Sequence, residues 1–164
     1  MTAIADRPVP ASGAPAVTPG LPHVDLLRLR DRLEPAERAR LDAIEDHLQT
    51  RVRPHLTRYW DAEEFAFDLL PGLAELGLGR LVLDGSSSLF QQLVHAEIAR
   101  VDLSLSALVG IHNELNLGMI AGLGSERQKA TWQGRLESFD ALGAVPVVSE
   151  PRLVVEPQQI TTTL

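Results

Sequence analysis

Between Leu105 and Ile120 the chain puts apolar residues on nearly every side of a helix: Leu105, Leu108, Val109, Ile111, Leu115, Leu117, Met119 and Ile120. A helix of that kind belongs in the centre of a domain, with other elements packed around it. This one segment therefore predicts a mainly α fold built about a central helix. Asp102 or Ser104 is placed to cap its start. Gly110 and Gly118 each cost about 1 kcal/mol against alanine in a helix interior. Close approach of another helix or of a ligand is the usual compensation.

The surrounding helices follow from periodicity. Pro35 suits a first helical position, where its missing N–H would be unpaired anyway. Leu41, Ile44, Leu48 and Val52 then form one stripe at three- and four-residue spacing. Pro54 is expected to end or kink this helix. A second helix is predicted from about Ala62 to Leu76, with Phe65, Leu69, Leu73 and Leu76 inward. Pro71 lies within it and can divide it into two shorter pieces. Gly77 and Gly79 supply the stop. Residues 80–87 read as a connection with a turn at Asp84-Gly85. Ser88 to Gln91 reads as a capping box opening a third helix that reaches about Arg100. Ser125 to Gln128 reads as a second box, opening a helix with Trp132 and Leu136. After Asp140, Val145, Val147 and Val148 suggest one strand, at a sheet edge because Pro146 cannot donate to a ladder. The predicted architecture is a bundle of about five helices with a short C-terminal β-extension. Residues 1–30, rich in Pro, Ala, Gly and Thr, read as a disordered tail whose Leu26, Leu27 and Leu29 can dock on the domain. Residues 28–46, dense in Arg, Asp and Glu, read as a solvated helix face.

At 164 residues the chain suits one domain with its own core. The formal charge of −7 argues against a nucleic-acid surface, which needs clustered Lys and Arg. Cysteine is absent, which removes disulfides and thiolate metal sites. No apolar run is long enough to span a bilayer, and no secretory start is visible, so a cytoplasmic location is expected. His23, His47, His55, His95 and His112 show no ligand spacing, and no metal is expected. His112 and Glu114 read as a satisfied buried polar pair or an interface contact. No nucleophile motif and no phosphate-cradling glycine loop is present; Ser86-Ser87-Ser88 after Gly85 lacks the P-loop lysine.

Six motifs occur in order. They are Tyr59 to Phe65 (YWDAEEF), Leu73 to Gly79 (LAELGLG), Glu97 to Asp102 (EIARVD), Gly110 to Leu115 (GIHNEL), Gly124 to Lys129 (GSERQK), and Ser149-Glu150-Pro151. Taken together over roughly residues 35–151, this series resembles the N-terminal domain of acyl-CoA dehydrogenases, particularly the glutaryl-CoA dehydrogenase-like branch. The resemblance implies residues 31–140 as the family's helical domain and residues 141–164 as a truncated start of its β-domain. It implies FAD as cofactor, an acyl-CoA substrate and α,β-dehydrogenation of the thioester, whose carbonyl is polarised by hydrogen bonds.

By the same resemblance Val148 and Ser149 fall where the family touches the flavin, and Ser106, Ala107 and Gly110 fall on the acyl-pocket wall. Pro146 replaces a common aromatic residue, and Arg152 to Pro157 replaces the family's Gly-Ser-Asp continuation. The glutaryl branch has an arginine at the position of Ser106, and a serine cannot make that ion pair, so a dicarboxylyl substrate is disfavoured. The family's catalytic glutamate belongs to a later domain, so no catalytic residue is assigned and the chain is expected to be inactive alone. A subunit of a split enzyme completed by a complementing dehydrogenase chain is one alternative. A non-catalytic helical binding or dimerisation module, forming a homo-oligomer, is another.

Overall fold

The computed structural model describes residues 25–143, and among these all regular structure is helical. Val145, Val147 and Val148, the expected strand, lie outside the described residues, as do residues 1–24. The α-helices are α1 (Pro35–His47), α2 (Arg53–Ala62), α3 (Leu70–Glu75), α4 (Ser88–Val101), α5 (Leu103–Gly110), α6 (Gly118–Leu123) and α7 (Glu126–Glu137). A π segment, Leu48–Val52, joins α1 to α2 without a break, and another, Ile111–Leu117, joins α5 to α6. Five rods result: α1–α2, α3, α4, α5–α6 and α7.

The first rod carries the expected stripe. Leu41, Ile44, Leu48 and Val52 are all buried, and they meet Leu73, Leu78, Leu81, Phe90, Val94, Ile98, Leu105 and Val109 in one core. Pro54 does not end the helix. It occupies the first turn of α2, immediately after the π segment. The wider i→i+5 turn displaces the α-type bond that proline could not have donated.

Three local expectations are corrected. The helix expected over Ala62–Leu76 is not continuous. α2 stops at Glu63, which takes the left-handed conformation at φ 54°. A 3₁₀ turn, Phe67–Leu69, leads into α3, where Pro71 sits at the helix start, the place a missing N–H costs least. Residues 80–87 are not merely a connection, because Leu78–Leu83 forms 3₁₀ turns with Leu78 and Leu81 buried. The cap of α4 is Ser87, whose Oγ accepts from the Phe90 amide at 3.1 Å. Gln91 bonds instead to the carbonyls of Leu81 and Ser86. Burial of Phe90 sets that register. The expected cap Asp102 holds α5 through the Leu105 amide at 2.7 Å, and Ser125 and Gln128 form the expected capping box of α7.

Two surface readings also change. Leu26 and Leu27 are 89% and 74% exposed and do not dock. The charge-rich stretch is not simply a solvated face. Arg30 lies against Glu45 at 2.9 Å, Asp42 at 2.8 Å and Glu97 at 3.9 Å, with Arg100 also on Glu97. Glu97 is buried, so removing either arginine would leave a poorly compensated carboxylate. This cluster pins the Leu29–Arg32 turn to α1 and α4.

Candidate functional site

The rod α5–α6 carries the residues of interest, and only part of it is enclosed. Leu105, Val109 and Leu117 are buried. Leu103, Ile111, Leu115, Met119 and Leu123 are between 43% and 82% exposed, and Ala107 is exposed with them. The expectation of a fully enclosed central helix is therefore wrong for this face. These residues recur every four positions, a spacing that drifts around an ideal α-helix. The π segment, with its longer turn, counters the drift and keeps the row together. The Gly118 amide makes the closing i→i+5 bond to Asn113 O. A Cβ on Gly118 would lie 3.2 Å from that same oxygen, so glycine suits the exit of the π segment.

Ser106 and Gly110 lie at the edge of the open row, on the side of α4. Ser106 Oγ donates to the His95 carbonyl at 3.2 Å. A Cβ added to Gly110 would sit 3.6 Å from the His95 ring, an ordinary contact. Packing therefore does not demand glycine there. Of the three positions that the resemblance assigns to a wall, Ala107 is on the open face and the other two flank it. Val148 and Ser149 lie outside the described residues. His95 is half-buried, and burial pushes its pKa below the usual imidazole range, partly opposed by the charge of Glu114.

Three polar residues in this rod behave differently from one another. His112 is buried while Glu114 is exposed, so the two are not the buried pair that spacing suggested. His112 Nε2 donates to the Leu136 carbonyl at 2.8 Å, and its ring lies 4.7 Å from that of Phe139. A carbonyl accepts only, so the proton is on Nε2, and the buried Nδ1 has no partner. Asn113, which no sequence motif singled out for a structural task, is buried and fully used. Its Nδ2 donates to Leu78 O at 2.7 Å and Val109 O at 2.9 Å, and its Oδ1 accepts from Val82 N at 3.3 Å. An asparagine inside an apolar helix was the available signal, but its main partners are more than thirty residues away.

Burial pushes the His112 pKa down, and the bond to Leu136 only partly opposes this. The folded state thus binds this proton less readily than the unfolded chain. Its contribution is complete above the unfolded imidazole value of about 6.5 and is lost as pH falls below it. Urea denaturation from pH 7.5 to pH 5 is expected to show falling stability. His112→Gln, which can keep a donor toward Leu136, is expected to flatten that slope. An unchanged slope would remove His112 from the explanation.

Among the described residues no group of three His, Cys, Asp or Glu is arranged to hold a metal, and no helix is long and apolar enough to cross a membrane. The open row is aliphatic. It can cover an alkyl chain or another protein surface. It does not fit a flavin by itself: an isoalloxazine edge needs hydrogen-bonding groups, and a diphosphate needs amides or cations.

These features define a helical domain with one open aliphatic face on its most apolar rod. Residues 34–140 match the family model for the acyl-CoA dehydrogenase N-terminal domain. The chain belongs to the acyl-CoA dehydrogenase family. It is 30% identical over 105 residues to the mitochondrial short/branched chain specific acyl-CoA dehydrogenase of Bos taurus, covering 60% of this chain and 24% of that protein. Among solved structures it is similar to a glutaryl-CoA dehydrogenase from Mycobacterium smegmatis in complex with FADH2, with TM-score 0.66 and 23% identity, over 71% of this chain and 32% of that one. A second structure of glutaryl-CoA dehydrogenase from the same organism gives TM-score 0.64 and 27% identity over 72% and 32%. The chain thus spans about a quarter to a third of the length of these relatives.

Proposed function

We propose that residues 31–140 supply one wall of an acyl-CoA site in an FAD-dependent dehydrogenase, and that residues from 141 onward begin the segment that meets the flavin through Val148 and Ser149. The observation that carries this reading is the aliphatic row on α5–α6, left open by the rest of the domain, with Ala107 in it and Ser106 and Gly110 at its edge. Glycine at position 110 gives up about 1 kcal/mol of helix stability. Since packing does not require it, ligand space is the better account. The Ser106 hydroxyl is committed to a backbone carbonyl. That supports an acyl group with an uncharged tail over a dicarboxylyl one.

The proton-abstracting base and the flavin site lie outside residues 25–143 in this reading. The 164-residue chain alone is expected to give no acyl-CoA-dependent dye reduction, even with FAD added. A chimera that carries residues 34–140 in place of the matching domain of a related dehydrogenase is expected to oxidise acyl-CoA. Ala107→Phe in that chimera is expected to raise KM for longer acyl chains about tenfold with flavin content unchanged. Turnover by the chain alone, or no change of chain-length preference in the variant, would contradict the reading.

The same row supports a second reading, a helical dimerisation module, because exposed aliphatic patches of this kind mark association surfaces. Sedimentation of the chain and of an Ile111→Glu, Leu115→Glu variant separates the two. A dimer abolished by the glutamates favours the second, and a monomer in both favours the first.

A further inference from the structure

A cleft of about 320 Å³ lies between the end of α2 and the start of α5, and it shares no residue with the acyl wall. Leu56, Ala66 and Leu105 form an apolar, buried floor. Tyr59, Trp60 and Phe65 also line the cleft, with the Phe65 ring 4.9 Å from that of Phe67, and Trp60 is 71% exposed. Glu63, Glu64 and Asp102 also line it, and no Lys or Arg does. Arg58, in the adjoining groove, is already paired with Asp68 at 2.8 Å and stacked on the Tyr59 ring at 4.5 Å.

We propose that this cleft binds a small, free quaternary ammonium ion. The volume is at the lower end for small-ligand pockets. Aromatic faces attract a cation through their quadrupoles, and three carboxylates of one sign add long-range attraction. The floor of Leu56, Ala66 and Leu105 is aliphatic, and one Asp102 oxygen is already used in capping α5 at 2.7 Å. A quaternary ammonium is weakly hydrated, and its methyl groups suit an apolar floor. Glu63, at the rim, holds a left-handed conformation where glycine or asparagine is cheaper.

The test is a proton-NMR titration of the full 164-residue chain with choline at constant ionic strength. The neutral isostere 3,3-dimethylbutan-1-ol serves as the comparison. Saturable broadening of the choline methyl signal in the millimolar range is expected, with the alcohol at least roughly tenfold weaker. Trp60→Leu, at an exposed position, and Glu64→Gln are each expected to weaken choline binding severalfold with the helical circular dichroism unchanged. Phosphatidylcholine vesicles are expected not to retain the chain, since the floor is recessed. Equal affinity for the alcohol, no saturation, binding indifferent to both substitutions, or retention on vesicles would each overturn the proposal.

Discussion

Phe90→Ala is expected to lower the stability of the domain by about 3–5 kcal/mol, read from urea denaturation with the slope unchanged. Phe90 is fully buried at the first turn of α4, where α1, the Leu78–Leu83 turns and α4 converge. Its deletion removes the largest wholly buried side chain and leaves a cavity that five rods cannot readily close. A second loss accompanies it. The Arg40 guanidinium lies 5.0 Å from the ring centroid and also holds Asp84 at 2.5 Å. Without the ring, that ion pair faces a void. Phe90→Leu keeps most of the volume and loses the aromatic face. It is expected to cost clearly less than alanine, and the remainder reports the contact with Arg40. A loss below about 1 kcal/mol for alanine would mean that the core collapses around the site, contrary to the packing described.

The sequence made the helical architecture legible where the signal is local. The stripe on α1, the Asp102 and Ser125 caps and the apolar character of α5–α6 need only neighbours along one helix. Misreadings arose where a distant partner decides. Periodicity runs from Phe65 through Leu76, yet Glu63 ends α2 without the glycine that usually marks such an end. Ser87 rather than Ser88 caps α4 because burial of Phe90 selects the register. Leu26 and Leu27 are apolar but find no surface. The open row on α5–α6 is the instructive case. Composition says that a helix is apolar all round, but it cannot say whether the cover for each side lies in the same domain. The assignment of Ser106, Ala107 and Gly110 to a proposed wall comes only from the resemblance. Spacing alone did not separate Ala107, on the open face, from Ser106, tied to α4.

Asn113→Ala is expected to cost about 3 kcal/mol, more than burial of so small a side chain suggests. Asn113 joins two pieces that otherwise touch only through apolar contacts: the π segment of the α5–α6 rod and the Leu78–Leu83 turns. Alanine leaves the buried Leu78 carbonyl and the half-buried Val82 amide without this partner, and a buried unsatisfied group costs about 1–3 kcal/mol, a half-buried one less. Val109 O loses less, since it lies within the helix. Asn113→Asp is the sharper probe. It keeps the acceptor for Val82 but turns a second oxygen toward the Leu78 carbonyl, where the amide had donated. A carboxylate there is disfavoured by burial and by the facing oxygen, so its folded pKa rises above the unfolded value. The variant is then least stable at neutral pH and recovers as pH falls through that raised pKa toward the unfolded value of about 4. His95 and His112, both pushed down by burial, give the wild type the opposite trend below about pH 6.5, so the comparison belongs in a background with both replaced, His95→Gln and His112→Gln. Recovery on acidification there, with Asn113→Ala unresponsive, would assign the latch to the side-chain amide. Equal and pH-independent losses in both variants would reduce Asn113 to a space-filling role.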